Sequence, residues 1–443
     1  MKLSLLLFGM LILFFQSEVT LAQQAKTLTL ESAIQFGMEH SLTIKNAQID
    51  IVDAQQQIVE NRAIGLPKLD LGVDYRYNLQ LPASLLPARF IDPNAPADEF
   101  AELKFGTKNT VTATLNFSSS LFDGTWFVAL KAAKVFRDFT TRQYIATQQT
   151  VKNDVIQAYL PALIVKENQS ILDKNIANLE KLLFETKQLY KEGFAEQLDV
   201  DRLELSLANL KVDRDNLNRN LETALNFLKF TIGYPVDEPL EVSDDIHSLL
   251  VEATPEELNP GVDYNSRAEY AAAKLNINLN ELNINRFRAG YLPTLEAFGS
   301  YSQNFQGDKL SDAFRFPSSL VGLRFSLPIF DGLQKKAQIQ RAKLDMEQAI
   351  NQKIQLERSI TLEVENARSN YINAKQATLN QQRTLDLAQK IYDTTQIKYK
   401  EGVGSSLELT QAEQGLYDAQ RNYTQTLYDL LVAKANLNKA LGK

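Results

Sequence analysis

Two stretches of the chain alternate apolar and polar residues with a period of two. From Leu69 to Leu79 the odd positions carry Leu69, Leu71, Val73, Tyr75, Tyr77 and Leu79, and the even ones Asp70, Gly72, Asp74, Arg76 and Asn78. From Val111 to Leu121 the odd positions read Val111, Ala113, Leu115, Phe117, Ser119 and Leu121, against Thr112, Thr114, Asn116, Ser118 and Ser120. Such alternation predicts strands with one apolar and one polar face. Both runs reach the roughly 9–11 residues that a tilted membrane-spanning strand needs. Farther along, Val321, Leu323, Phe325, Leu327 and Ile329 repeat the apolar face, preceded by a less regular run from Leu295 to Gln303. Taken alone, the pattern fits equally a soluble sheet whose apolar face lies on a core.

Elsewhere the period changes to that of helices. Pro161 is the one strong breaker between Asp123-Gly124 and Gly193, and none stands between Asp331-Gly332 and Gly402. At ~1.5 Å per residue, about seventy helical residues extend on the order of 100 Å, beyond the needs of a globular domain. After each glycine comes a heptad seam. The later one reads Leu409, Ala412, Leu416, Ala419, Tyr423, Thr426, Leu430, Ala433, Leu437, Ala440, and the earlier one Val200, Leu203, Leu207, Leu210, Arg214, Leu217, Leu221, Ala224, Leu228. Alternating steps of three and four predict coiled-coil packing. Gly193 and Gly402 suit left-handed C-terminal caps, Ser405 with Glu408 has the spacing of a capping box, and Asp123 and Asp331 stand where N-caps would turn strand into helix.

The pattern occurs twice. Tyr190-Lys191-Glu192-Gly193 recurs as Tyr399-Lys400-Glu401-Gly402, and the same spacing carries Leu198 onto Leu407, Asp199 onto Glu408 and Leu228 onto Leu437. Leu121-Phe122-Asp123-Gly124 has its counterpart in Ile329-Phe330-Asp331-Gly332, and Leu66-Pro67 in Leu292-Pro293. Expected are a segment 1–22, a first repeat over 23–233, a proline-bearing linker over 234–262 and a second repeat over 263–443, each repeat ordered helix, strand, strand, long helix, turn, helix. The first copy is longer between its strands, and residues 81–108, with four prolines, are expected to hold that insertion as a surface loop.

Composition narrows the possibilities. Met1-Lys2, the apolar run Leu3–Phe15 and small residues near Ala22 form a secretory signal, with cleavage expected after Ala22. Beyond it no apolar run approaches the ~20 residues of a transmembrane helix, so a membrane span has to come from strands. The chain has no cysteine, which removes disulfides, thiolate sites and a lipid-modified N-terminal cysteine. A formal net charge of −7 argues against nucleic acid as a partner. His40 and His247 stand alone, and no catalytic constellation, Walker loop, metal set or cofactor motif is evident. Four strands leave two open edges, which lipid does not tolerate, so other copies must close the sheet. Two copies would give eight strands and a filled interior, whereas three give twelve and room for a conduit.

In their order and duplication these motifs resemble the TolC-type outer-membrane factor family over essentially the whole mature chain. Leu28-Thr29-Leu30-Glu31-Ser32-Ala33-Ile34 resembles that family's opening segment, Leu66-Pro67 and Leu292-Pro293 its helix-to-strand entries, and the paired Tyr-x-x-Gly turns its periplasmic helix tips. The resemblance implies an α+β membrane protein in the outer membrane of a Gram-negative bacterium: four transmembrane strands per protomer, a trimeric twelve-stranded barrel and a long helical coiled-coil tunnel. It also implies a homotrimer that meets a periplasmic adaptor and an inner-membrane transporter, exports small molecules or proteins, and catalyses nothing. Glu196-Gln197 departs from the hydroxyl pair Ser405-Ser406 of the second tip. The competing assignment is a soluble periplasmic coiled-coil adaptor without a pore.

Three groups of residues are expected to matter. Tyr190, Gly193, Leu198, Asp199, Tyr399, Gly402, Ser405, Leu407 and Glu408 form helix tips that dock the adaptor. Glu192, Glu196, Asp199, Asp201, Glu401 and Glu408 are candidate acids of a pore constriction. Leu71, Val73, Leu115, Phe117, Leu323 and Phe325 meet lipid, while Asp70, Asp74, Arg76, Thr112 and Thr114 line water.

Overall fold

The computed structural model describes residues 26–96, 98–258 and 261–443; the expected signal segment 1–22 lies outside the described residues. The elements run β1 (Lys26–Leu28), α1 (Leu30–His40), α2 (Leu42–Ala63), β2 (Lys68–Tyr77), β3 (Ala83–Pro87), β4 (Phe100–Lys104), β5 (Asn109–Phe122), α3 (Gly124–Lys191) and α4 (Gln197–Ile232). They continue with β6 (Leu240–Val242), α5 (Ala268–Ala289), β7 (Thr294–Gly307), β8 (Phe314–Ser326), α6 (Gln334–Lys400) and α7 (Ser406–Ala440). The described residues fold as two compact units, each assembled from segments of both halves: one within 50–141 and 271–354, the other within 26–49, 142–270 and 355–443. Among the described residues, no helix is long and apolar enough to cross a membrane.

The first of these units carries a four-stranded antiparallel sheet in the order β2-β5-β7-β8. Its register puts Leu71 opposite Leu115, Leu115 opposite Tyr301, Leu69 opposite Phe117 and Ala297 opposite Leu323. Directly opposed residues share a face, so the apolar residues of β2 and β5 stand on one side with Tyr301 and Phe305 of β7 and Val321, Leu323 and Phe325 of β8. On the other side Asp70 opposes Asn116, Gly72 opposes Thr114 and Asp74 opposes Thr112. Cross-strand hydrogen bonds knit that polar side: Thr112 Oγ1 donates to Asn304 Oδ1 at 2.9 Å, the Thr114 and Ser302 hydroxyls lie 3.1 Å apart, and Arg324 Nη1 donates to Glu296 Oε2 at 3.1 Å. Where helix turns into strand, the Trp126 indole donates to the Asn61 carbonyl at 2.7 Å, and a Cβ on Gly65 would stand 2.3 Å from that ring. No larger residue fits there.

Several sequence expectations change here. Residues 81–108, expected as a surface loop, carry a short hairpin: β3 and β4 pair antiparallel from Ala83 opposite Lys104 to Pro87 opposite Phe100. The least regular run proves to be a strand of fourteen residues at the centre of the sheet. The last strand starts earlier than its clean alternation and ends at Ser326, leaving Leu327 and Ile329 outside it. Pro328 accounts for the end, since it has no N–H for a ladder. Asp331 does not immediately precede its helix; Gly332 (φ 65°) and Leu333 (φ 69°) turn left-handed first, and its carboxylate accepts from the Leu333 and Lys335 amides at 3.1 Å. Pro161 lies inside an uninterrupted α3.

The helical unit holds a parallel pair, β1 with β6, which the strand pattern did not announce. Buried Tyr159 secures it: the phenol lies 2.8 Å from Asp244 Oδ2 and 3.0 Å from the Leu28 carbonyl, and the same Asp244 oxygen accepts from Leu30 N at 2.6 Å. Around it Ile44, Val155, Leu228, Ile232, Ile246 and Leu427 form one core. Another joins Leu172, Leu179, Leu203, Leu210, Tyr392, Leu409 and Leu416 from four helices. Each such leucine contributes about 1.5–3 kcal/mol by leaving water. The earlier seam packs as expected at Val200, Leu203 and Leu210, but Arg214 stays exposed and pairs with Asp173 at 2.6 Å. In α7 the seam slips by one residue: Thr424, Leu427 and Leu431 are buried, in place of Tyr423, Thr426 and Leu430.

Candidate functional site

The two helix tips form where each long helix reverses. Gly193 (φ 80°) and Gly402 (φ 74°) take the left-handed conformation that a side chain would strain. The amides of Phe194 and Val403 then reach back to the carbonyls of Leu189 (2.8 Å) and Lys398 (3.0 Å). The second tip restarts on Ser405, whose hydroxyl accepts from the Glu408 amide at 3.2 Å. In the first, Glu196 holds that place, and its own amide donates to Asp199 Oδ2 at 3.2 Å. The departure at Glu196-Gln197 thus retains a cap built from a different side chain.

Within one chain the two hairpins meet, and the meeting is polar at its tip. Ser406 is buried, and its hydroxyl donates to Asp199 Oδ1 and accepts from Arg202 Nη1 at 3.1 Å. One turn farther in, the Thr186 and Tyr399 hydroxyls lie 3.2 Å apart. Ser206 donates to Glu413 Oε2 at 3.5 Å, and burial pushes this carboxyl up to about 7 against that hydroxyl's opposing pull. Of the sequence candidates, Asp199 and Tyr399 enter this junction. Glu192, Glu196, Asp201, Glu401 and Glu408 are exposed, with Asp201 accepting from Gln197 at 2.7 Å.

Apolar groups remain uncovered at both tips. Leu198 is 51% exposed and Leu407 47%, but Phe194 at 82% and Val403 at 78% are more so. Neither of the latter pair was singled out from sequence, although the repeat spacing aligns them directly behind the two glycines. Arg202, Ser206 and Glu413 were also missed. Nothing in a helical seam shows which polar residue meets the neighbouring hairpin.

On the sheet, Leu71, Val73, Leu115, Phe117, Leu323 and Phe325 all lie exposed on the apolar face. The free edges are β2 and β8. Among the described residues no group of three or more acidic, histidine or cysteine side chains could hold a metal ion.

The sequence pattern described as outer membrane efflux protein matches residues 34–234 and 265–443. Outer membrane protein TolC of Salmonella enteritidis is 23% identical over 416 residues, covering 90% of this chain and 79% of that protein. Proteases secretion protein PrtF of Dickeya chrysanthemi is 22% identical over 321 residues, covering 69% of this chain and 68% of its own. The open state of the Neisseria gonorrhoeae MtrE outer membrane channel superposes with a TM-score of 0.72 at 20% identity, covering 93% of this chain and 88% of that one.

Proposed function

The chain belongs to the outer membrane efflux protein family, and from that premise we propose that three copies join their sheets into a closed twelve-stranded barrel that continues into a helical conduit. The protein is an outer-membrane export channel, the class to which TolC and the protease-secretion relatives belong. The observation that carries the trimer is the sheet: four strands, two unlike faces and free edges at β2 and β8. Lipid leaves no backbone group unpaired, so such edges pair with one another. A closed ring from three copies has room for water inside. The face of Leu71, Val73, Leu115, Phe117, Leu323 and Phe325 then meets lipid, and that of Asp70, Asp74, Arg76, Thr112 and Thr114 meets water.

The tips dock a periplasmic adaptor that couples the channel to an inner-membrane transporter. Support comes from the apolar groups Phe194, Leu198, Val403 and Leu407, which remain exposed at turns whose glycines are already explained by capping. In the same reading the junction of Asp199, Arg202 and Ser406 holds the hairpins together and parts when the conduit opens.

Reconstitution of the purified protein into planar bilayers tests the channel. Stepwise conductance from a trimeric species is expected. A soluble adaptor would give no steps and would not fractionate with the outer membrane. For docking, Leu198→Glu with Leu407→Glu is expected to abolish export while trimers persist in the outer membrane. Undiminished export at normal abundance would place the adaptor elsewhere.

A further inference from the structure

The sheet's two faces are sorted cleanly on β2 and β5, are mixed at Phe298 and Gln303 of β7, and exchange character along β8. Phe316 of β8 lies opposite Asn304, which lies opposite Thr112, which lies opposite Asp74. Phe314 likewise continues the row of Gln306, Thr110 and Arg76. Both rings therefore stand on the polar face, at the end of the sheet where β2 leaves for the β3–β4 hairpin. Leu320 shares that face, in the row of Ser300, Asn116 and Asp70. Over the same length the opposite face of β8 carries Arg315, Pro317 and Ser319, and it becomes apolar only from Val321 to Phe325. The alternation thus inverts between Leu320 and Val321.

Among the described residues nothing covers the inverted ones: Phe314 is 72% exposed and Phe316 53%. Large apolar side chains on a wall that otherwise carries hydroxyls, amides and charges are unfavourable in water unless something apolar meets them. The wall residues of a conduit are also where selectivity is set, since lumen substitutions are tolerated by the barrel and tune what passes.

We propose that Phe314 and Phe316, with Leu320 below them, are specificity-determining residues of the conduit: an apolar stripe, repeated on each of three copies, that transiently holds ring-bearing amphiphilic cargo near the outer mouth. This rests on the channel reading and on the outward orientation of the opposite face. The stripe lies between the neutral Gln306, Asn304 and Ser302 on one side and, across the edge that a second copy closes, the acidic β2 wall with Asp70 and Asp74. Rings stack or pack edge to face with such groups while the rest of the cargo stays hydrated.

The test compares wild type with Phe314→Ser/Phe316→Ser and Phe314→Leu/Phe316→Leu in planar bilayers under potassium chloride, with tetraphenylphosphonium as ring-bearing probe and tetramethylammonium as its ringless control. Tetraphenylphosphonium is expected to interrupt wild-type current, with blocked times about tenfold shorter in the serine variant and intermediate in the leucine variant. Tetramethylammonium and the unblocked conductance are expected to be alike in all three. Unchanged blocked times would overturn the assignment. So would loss of trimers in either variant, which would assign the rings to the contact between copies. A wild-type protein that passes no current would instead bring down the channel reading itself.

Discussion

Two carboxylates of the helical unit are displaced in opposite directions by their neighbours. Burial works against ionised Glu257, but the ammonium groups of Lys434 at 2.6 Å and Lys443 at 2.5 Å, with the Thr254 amide at 2.9 Å, outweigh it and hold the carboxyl at about 2. A depressed folded-state value gives stability that is present above the ordinary 4.5 and is lost as pH falls toward 2. Glu257→Gln is expected to destabilise the protein by about 2 kcal/mol at pH 7, read as a lower melting temperature in detergent, with the gap closing as pH drops through that window. A constant gap would mean that the charge is not what matters. Glu413 is the reverse case, raised by burial to about 7. Its ionised form costs stability that is absent below 4.5 and complete above 7. Glu413→Gln is therefore expected to raise the melting temperature at pH 8 and hardly at pH 5. Nothing in the sequence marks either residue, because their partners come from elsewhere in the chain: Lys434 is far from Glu257 in sequence, and Ser206 belongs to the other hairpin.

At the scale of elements, local periodicity was a good guide wherever one face of an element has one kind of neighbour. β2 and β5 alternate without exception over Leu71–Val73 and Thr112–Phe117, and their pairing matches apolar to apolar. The register makes a sharp comparison: in the proposed barrel, Leu115→Arg would put charge on the lipid side at a cost of about 2–4 kcal/mol near the membrane midplane, and Thr114→Arg would cost far less. Trimer recovery from the outer membrane is expected to fall in the first variant only, and equal defects would contradict the register. Periodicity misled where the neighbour changes along the element. β7 looked irregular because Phe298 stands on its polar face, where its ring lies over Gly322 of β8; a Cβ on that glycine would come within 2.8 Å of the ring. The α7 seam slips where its packing passes from Leu409 and Leu416 to Leu427 and Leu431, which belong to a different core. The β3–β4 pairing was hidden by the prolines around it, of which Pro87 ends the first strand.

For the whole molecule the remaining prediction depends on the proposed trimer. Three-fold symmetry turns any inward-facing carboxylate at the tips into a ring of like charge, which favours cations in a narrow passage. Glu192, Glu196, Glu401 and Glu408 are exposed and can serve, whereas Asp199 is engaged by Ser406 and the Glu196 amide. Reversal potentials under a salt gradient are expected to show cation preference, reduced in a Glu401→Gln/Glu408→Gln variant. Anion preference in the wild type would remove these acids from the passage.

The sequence by itself determined the long helices, their turns, the regular strands β2 and β5 and the repeat that relates the two halves. Period-two and heptad patterns are local properties of the chain, and Gly193, Gly402 and Ser405 act on backbone atoms a few residues away, so their roles needed no partner. Tertiary structure decided which residues of those elements meet. The left-handed turn at Leu333, the parallel pairing of β1 with β6 under Tyr159, the inversion along β8 and the junction of Asp199, Arg202 and Ser406 all depend on contacts between distant segments. A periodicity records that a face is buried or wet, but not which neighbour makes it so, and that neighbour fixes the energy of each polar group.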